Sequence, residues 1–189
     1  MIAKAKAENM PNDNISRCIQ KASGEGNTSN YEDITYEGFG PFGVAVIVEA
    51  MTDNKNRAAA DVRCIFDRAG GSLGQTGSVG YMFDKKGYFL IEKNDNIDEE
   101  DLMLNVIDQG AEDFIVEEEY YEILTLPDSF SSVKKYLEEN NYVCLESEIK
   151  MIANIKKELT EDEEERFNNF LDKLEDNDDV DAVWHNADM

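Results

Sequence analysis

Apolar and polar residues alternate in two neighbouring runs of the sequence, at residues 31–37 and 43–50. The segment GFGPFG between them has the glycine and proline content of a tight turn, so we predict an antiparallel pair of strands. The second run contains VAVIV, in which every residue is apolar, and this pattern is typical of a central strand.

A helical repeat follows these strands. Between residues 54 and 69, the residues Ala58, Val62 and Phe66 recur on one face, which predicts a helix packed against a sheet. A glycine pair ends this helix, and residues 79–84 then have the composition of a strand. Together these elements predict a β-α-β unit.

The middle of the chain predicts a second set of elements after a turn at Lys85-Lys86-Gly87. Asp98 lies in the first turn of one predicted helix, where the helix dipole favours acids, and Ser129 can cap the other. The predicted strand, helix, two hairpin strands, helix and strand occupy residues 88–92, 98–109, 114–118, 120–124, 128–140 and 143–149. The order β-α-β-β-α-β is the ferredoxin-like plan.

The last part of the chain predicts one more β-α-β unit, from residues 150–157, a helix at 161–174 and a strand at 182–185. Thr160 and Glu163 have the spacing of a capping box at the start of that helix. The two outer β-α-β units lack a complete sheet when they stand alone. We therefore predict an α+β fold with two ferredoxin-like domains, in which the middle domain is inserted into the outer one.

A short helical segment precedes both predicted domains, because apolar residues recur at helical spacing through residues 15–22 after Pro11. Two interpretations are open: the remnant of a longer N-terminal helical domain, or a small helix docked on the rest. The predicted domains are residues 1–27 for the helical remnant, 28–86 together with 149–189 for the outer domain, and 87–148 for the inserted one.

Charge divides the chain of 189 residues into unequal halves. The formal net charge is −24, but residues 1–91 hold 10 Lys/Arg and 11 Asp/Glu, whereas residues 92–189 hold 8 and 31. A polyanion is therefore expected to approach only through the first half. No apolar run is long enough to span a membrane, and three isolated cysteines indicate a reducing compartment, so we predict a cytoplasmic protein.

Candidate catalytic and metal-binding patterns are weak in this sequence. His185 is the only histidine, and we expect it to pack near a strand end rather than to activate a nucleophile. The acidic clusters lack the glycine and terminal glutamate of a calcium loop, and the segment GQTGS lacks a phosphate-loop pattern. We expect solvated helix ends and a tight helix-to-strand connection instead, and these residues do not predict an enzyme.

Basic and amide side chains form the most interesting group, because guanidinium groups bind phosphates bidentately. Arg57 and Arg68 are eleven residues apart and are expected on one helix face. Asp61 and Asp67 are interleaved with them, so an ordinary exposed helix with ion pairs is an equal alternative. The predicted nucleic-acid contacts are Asn54, Lys55, Asn56, Arg57, Arg63, Arg68, Lys85 and Lys86.

Three segments carry a resemblance to a known family: NMPNDNISRCIQKASGE, the stretch from YEDITYEGFGPFG to VGYMFDKKG, and LEDNDDVDAVWHN. They closely resemble the YebC family, which includes bacterial transcriptional regulatory proteins and the mitochondrial translational activator of cytochrome oxidase. The resemblance runs essentially from end to end. It implies an N-terminal helical domain and two ferredoxin-like domains. Family members normally begin earlier, with a strongly basic segment that this sequence lacks.

The resemblance also implies function. A family member is expected to regulate gene expression without catalysis or a cofactor, by binding DNA or RNA at a promoter or on the ribosome. We expect that contact on the helix at residues 54–69 and the loop at 70–78. Beside DNA or RNA, the acidic charge adds basic ribosomal proteins as expected partners. Because few apolar residues are left outside the predicted cores, we expect a monomer away from membranes. The acidic second half leaves one alternative, a protein-interaction scaffold that grips a basic partner without touching nucleic acid.

Overall fold

The computed structural model describes residues 31–94 and 96–189, so the predicted N-terminal helix lies outside the described residues. Two four-stranded antiparallel sheets each carry two helices on one face, which confirms the predicted α+β class. In chain order the elements are β1 Glu32–Phe39, β2 Ala45–Thr52, α1 Lys55–Arg68, β3 Ser72–Leu73, β4 Phe83–Glu92, α2 Glu99–Asp108, β5 Ala111–Val116, β6 Tyr120–Thr125, α3 Phe130–Glu139, β7 Cys144–Ala153, β8 Lys157–Glu158, α4 Glu161–Glu175, β9 Val180–His185 and β10 Ala187–Asp188.

The first sheet has the strand order β3-β1-β2-β9, and β1 pairs antiparallel with β2 as predicted. Alternate residues of β2 and of the turn before it point to opposite faces of the sheet. Val46 and Val48 pack under α1 and α4, whereas Ala45 and Ile47 pack on the other face. Strand β2 is therefore buried on both faces, which confirms the prediction of a central strand.

The second sheet has the strand order β5-β6-β4-β7, with α2 and α3 packed on one face. Along the chain this unit runs β4-α2-β5-β6-α3-β7, so it is the predicted ferredoxin-like plan. The first sheet has an equivalent spatial order, but its chain order differs because β1 comes before β2 and α1 rather than after them.

The predicted turn at residues 85–87 is wrong, because Phe83–Glu92 form one continuous strand, β4. Gly87 misled the prediction: glycine is usual in turns, but here it makes room for a side chain. A Cβ atom on Gly87 would lie 2.7 Å from the Phe130 ring, which packs across the strand. The predicted strand at 79–84 is also wrong, since Gly80–Met82 form a short 3-10 turn before β4.

Two further strands differ from the predictions. The two-residue strand β3 was not predicted, and it pairs with the end of β1 at the edge of the first sheet. The predicted strand at 150–157 is divided, because its first part continues β7 in the second sheet and its last part forms β8, paired with β10. The predicted domain bounds at 86/87 and 148/149 fall inside β4 and β7, and the bounds stay a prediction.

A third apolar cluster joins the two sheets. Ala45 and Ile47, on the face of the first sheet opposite its helices, pack against Phe83 at the start of β4. Met151 and Ala153 at the end of β7 cover the same cluster. Among the described residues, no helix is long and apolar enough to cross a membrane.

Candidate nucleic-acid interface

Helix α1 begins at a cap that uses one of the predicted contact residues. The Asn54 side chain accepts a hydrogen bond of 3.1 Å from the backbone N–H of Arg57, as a helix cap requires. The Arg57 guanidinium donates to both carboxylate oxygens of Asp179, at 2.9 Å, and also to Asp53 at 3.0 Å. These carboxylates, through hydrogen bonds first, raise the pKa of Arg57 above its ordinary value.

The surroundings of Arg57 are strongly acidic. A cavity of about 530 Å³ beside it is lined by the described residues Tyr31, Asp53, Arg57, Asp61, Asp176, Asn177, Asp178 and Asp179. A phosphate at this place would meet several carboxylates for one guanidinium that is already paired, so Coulomb repulsion opposes its binding. Arg57, at the amino-terminal end of α1, therefore pairs with carboxylates of the protein itself.

The predicted lysine contacts also have acidic partners. Lys55 forms an ion pair with Glu32 on β1. Lys86 lies within β4 and pairs with Glu112 on the edge strand β5. Lys85 is exposed within the same strand, and so it lies in the second sheet, outside α1 and its neighbours.

The carboxyl-terminal end of α1 has the opposite charge. A cavity of about 330 Å³ lies there between α1, α4 and the turn after β1, and we call it the basic groove. Its lining residues are Pro41, Arg68, Ala69, Arg166, Asn169, Phe170 and Lys173. No ion pair within 4 Å joins Arg68, Arg166 or Lys173 to a carboxylate of the described residues. The basic groove thus gathers three cations in a chain with a net charge of −24.

Packing of the two helices forms the basic groove. Phe66 on α1 and Phe170 on α4 meet edge to face, with ring centroids 5.0 Å apart. Because Arg166, Asn169 and Lys173 follow the spacing i, i+3 and i+7, they lie on one face of α4. Sequence reasoning missed these residues although that spacing is visible, because nothing in the sequence placed α4 beside Arg68.

An aromatic side chain adjoins the basic groove. Phe42 lies in the 3-10 turn Pro41–Gly43 that lines one side of it. The guanidinium carbon of Arg166 lies 5.0 Å from the centroid of the Phe42 ring, which is a cation–π distance. The groove therefore has an aromatic surface at one end, besides its three cations.

The glycine-rich loop before β4 holds a carboxylate of the protein itself. Glu37 accepts hydrogen bonds from the backbone N–H groups of Gly77 at 2.7 Å, Val79 at 2.9 Å and Gly80 at 2.6 Å. Burial raises the pKa of Glu37, but these three hydrogen bonds outweigh it and hold the pKa below its usual range. Because Glu37 occupies these donors, this loop does not offer these N–H groups to a phosphate.

His185 ends strand β9 and packs edge-on against Phe167, with ring centroids 5.1 Å apart. Burial lowers its pKa, and a backbone hydrogen bond at Ala187 acts weakly in the other direction. The packing role predicted for His185 is therefore confirmed. Among the described residues, no group of three or more His, Cys, Asp or Glu side chains has the geometry of a metal site.

Residues 31–187 match the family described as "TACO1/YebC second and third domain". The chain belongs to this family. A YebC-family relative from Acetivibrio thermocellus is 54% identical over 187 residues, which are 98% of this chain and 77% of the relative. One from Clostridium perfringens is 51% identical over 188 residues, which are 100% of this chain and 76% of the relative. Both carry the name "Probable transcriptional regulatory protein".

The YebC fold is also shared with a solved structure. The crystal structure of a conserved hypothetical protein from Aquifex aeolicus superimposes with a TM-score of 0.79 at 37% identity. The superposition covers 99% of this chain and 77% of the other. The resemblance seen in the sequence is thereby confirmed over the whole chain.

In this YebC-family chain the structure divides the predicted contact residues. It places Arg68 in the basic groove, with Arg166 and Lys173 as neighbours. It places Asn54, Lys55 and Arg57 among caps and ion pairs at the opposite end of α1, whereas Asn56 and Arg63 lie exposed on that helix. The expected single basic face of α1 is therefore two separate environments of opposite charge.

Proposed function

We propose that this chain is a non-enzymatic regulator of gene expression that binds the phosphate backbone of nucleic acid through the basic groove. The observation that carries this proposal is the convergence of Arg68, Arg166 and Lys173, none of them in an ion pair with a described carboxylate. The names of the relatives, which refer to transcriptional regulation, support the regulatory role.

Local charge can outweigh net charge in this setting. Salt screens exposed charges within about 8 Å at physiological ionic strength, so most of the acidic second half acts only weakly at the groove. A phosphate among three cations gains direct contacts and releases its own counterions. The acidic remainder of the molecule should nevertheless slow its approach to long polyanions and favour short or structured targets.

The place of action that we propose is the cytoplasm, on nucleic acid at a promoter or on the ribosome. The ribosome is the favoured of the two, because a large acidic protein can hold ribosomal RNA through a few cations while its acidic surfaces meet basic ribosomal proteins. Sedimentation with ribosomes at low and high salt, compared with binding to promoter DNA at the same salt, distinguishes the two.

The test of the basic groove is a salt titration of binding to a labelled oligonucleotide, measured by fluorescence anisotropy. Each of the variants Arg68→Ala, Arg166→Ala and Lys173→Ala should weaken binding and reduce the slope of log K against log salt by about 0.7 to 0.9. The matched control is Lys135→Ala, which removes one exposed cation from α3. If the groove variants bind like the control, the proposal is wrong.

A second candidate function has one specific observation in its favour. The face of the second sheet opposite its helices carries Leu90 between two carboxylates, Glu122 on β6 and Glu146 on β7. Burial, and then the charges of these two glutamates, raise the pKa of the Tyr88 phenol on the same face. An apolar centre with acidic neighbours suits a lysine-rich or arginine-rich protein segment, as in an interaction scaffold, although such a segment must displace Lys150, which pairs with Glu146 at 3.1 Å.

Calorimetric titration with a lysine-rich peptide tests this second candidate. The double variant Glu122→Gln and Glu146→Gln should weaken peptide binding several-fold. The same double change at the exposed positions Glu161 and Glu165 of α4 removes equal charge elsewhere and should leave the affinity close to that of the parent. Equal loss in both variants would mean that only net charge attracts the peptide.

A further inference from the structure

Phe42 has a backbone conformation that few aromatic residues adopt. Its φ of 63° and ψ of 11° lie in the left-handed region, which is uncommon for any side chain and strained for a bulky one. The surrounding turn enforces this conformation, because the backbone N–H of Gly40 donates to Val44 O at 2.8 Å and Pro41 is buried beneath. The turn therefore fixes the direction of the ring.

Burial in a core does not compensate for this strain. The Phe42 ring is half-buried and belongs to none of the three apolar clusters of the described residues. The ring contacts Arg166, whose guanidinium carbon lies 5.0 Å from the ring centroid. A strained backbone that holds an aromatic ring outside the cores is the kind of outlier that is expected at a binding surface.

We propose that Phe42 is a stacking platform for an unpaired base, so that the basic groove prefers single-stranded nucleic acid to a duplex. This inference rests on the proposed function of the groove. Arg68, Arg166 and Lys173 would contact phosphates, while the ring of Phe42 receives a base on the face that the Arg166 guanidinium does not cover.

The preference for a single strand over a duplex follows from the stacking of bases. In a duplex both faces of each base are covered by neighbouring bases, so a protein ring reaches them only at an end or after unstacking. In a single strand the faces are accessible, and every base has one, so stacking adds affinity with little dependence on sequence. Phosphate contacts alone would attract both forms through their charge.

The test compares three variants on a labelled single-stranded oligonucleotide and on a blunt duplex of equal length. Both ligands are made once as RNA and once as DNA. Phe42→Leu keeps an apolar side chain but loses the ring, and it should weaken single-strand binding about 5-fold or more while it leaves duplex binding unchanged. Phe42→Trp should keep single-strand affinity. Arg68→Ala should weaken binding to both ligands.

The outcomes separate this inference from the proposed function. If the parent protein binds neither ligand, the proposed function fails and this inference fails with it. If the parent binds and Arg68→Ala weakens binding, but Phe42→Leu changes nothing or weakens both ligands equally, only the stacking role is overturned. Equal urea midpoints of Phe42→Leu and the parent exclude a general loss of folding as the cause, and quenching of the added indole in Phe42→Trp by a single strand reports stacking directly.

Discussion

The carboxylate of Glu37 on β1 lies 2.9 Å from the backbone nitrogen of Val79, in the loop that leads to β4. The same side chain accepts from Gly77 and Gly80, so one buried carboxylate satisfies three backbone donors of a glycine-rich loop. A loop with few apolar side chains is thus fastened to the first sheet by charge-assisted hydrogen bonds.

Replacement of Glu37 by Gln should destabilise the protein by about 1 to 3 kcal/mol, because the amide removes the negative charge and places its own N–H donors among backbone donors. Urea denaturation followed by circular dichroism measures the change. The exposed change Glu118→Gln serves as the control and should move the midpoint little.

The same hydrogen bonds predict a pH dependence. Because the pKa of Glu37 is lower in the folded state than in the unfolded chain, the unfolded state binds more protons as the solution is acidified. The stabilisation is present above the unfolded pKa of about 4.3 and is lost as the pH falls through the folded pKa. Glu37→Gln should therefore lose less stability than the parent between about pH 5 and pH 3. Parallel curves would contradict this role for Glu37.

Two arginines of α1 should have separate effects. Arg57→Ala should lower the urea midpoint, since it leaves the nearly buried carboxylate of Asp179 without its guanidinium, and it should leave oligonucleotide affinity nearly unchanged. Arg68→Ala should weaken oligonucleotide binding and leave the midpoint in place. Urea denaturation and fluorescence anisotropy of both variants measure the midpoint and the affinity. If Arg57→Ala lost affinity and Arg68→Ala did not, the interface would lie at the amino-terminal end of α1.

A methyl group on Gly87 should be poorly tolerated. The Cβ atom of Gly87→Ala would overlap the Phe130 ring and the Thr125 side chain, so we expect a loss of about 1 to 3 kcal/mol in the free energy of unfolding. A double-mutant cycle with Phe130→Leu tests the cause. The cost of Gly87→Ala should fall when the ring is smaller, and an unchanged cost would assign the effect to the Thr125 side chain, which lies nearer.

The cysteines Cys64 and Cys144 should differ in reactivity. Cys64 is exposed on α1, whereas Cys144 is partly buried at the start of β7, and burial raises the pKa of its thiol. Less thiolate and poorer access both slow alkylation. In a protein carrying Cys18→Ser, a maleimide should label Cys64 first, and Cys144 should follow only when urea opens the second sheet. Mass spectrometry of the peptides after short labelling times shows which cysteine is alkylated first.

Local patterns predicted most of the helices well. The helix predicted at 54–69 is α1, with Asn54 as its cap, and the predicted capping box of α4 forms with Glu163 accepting from the Thr160 N–H at 3.0 Å. The errors arose where distant packing decided the structure. Gly87 lies in a strand because β6 and β7 pair with β4 on both sides of it, and β3 is a strand only because the end of β1 lies alongside.

The candidate site was predicted less completely than the fold. Arg68 was found because it lies on an amphipathic helix with other cations, but its neighbours Arg166 and Lys173 are about a hundred residues further along the chain. The sequence also could not show that Asp179, before β9, would lie beside Arg57 at the start of α1. Charge partners of this kind depend on tertiary contacts, and the net charge of a segment does not reveal them.

Strand β4 begins among the side chains that cover the first sheet, at Phe83, and ends in the core of the second, at Phe89 and Ile91. Because β4 packs in both apolar clusters, the two sheets have little freedom to rotate relative to each other. Unfolding of either sheet would remove from the other a β4 side chain that packs in its core. We therefore expect both sheets to unfold together, in a single thermal transition, despite their separate cores.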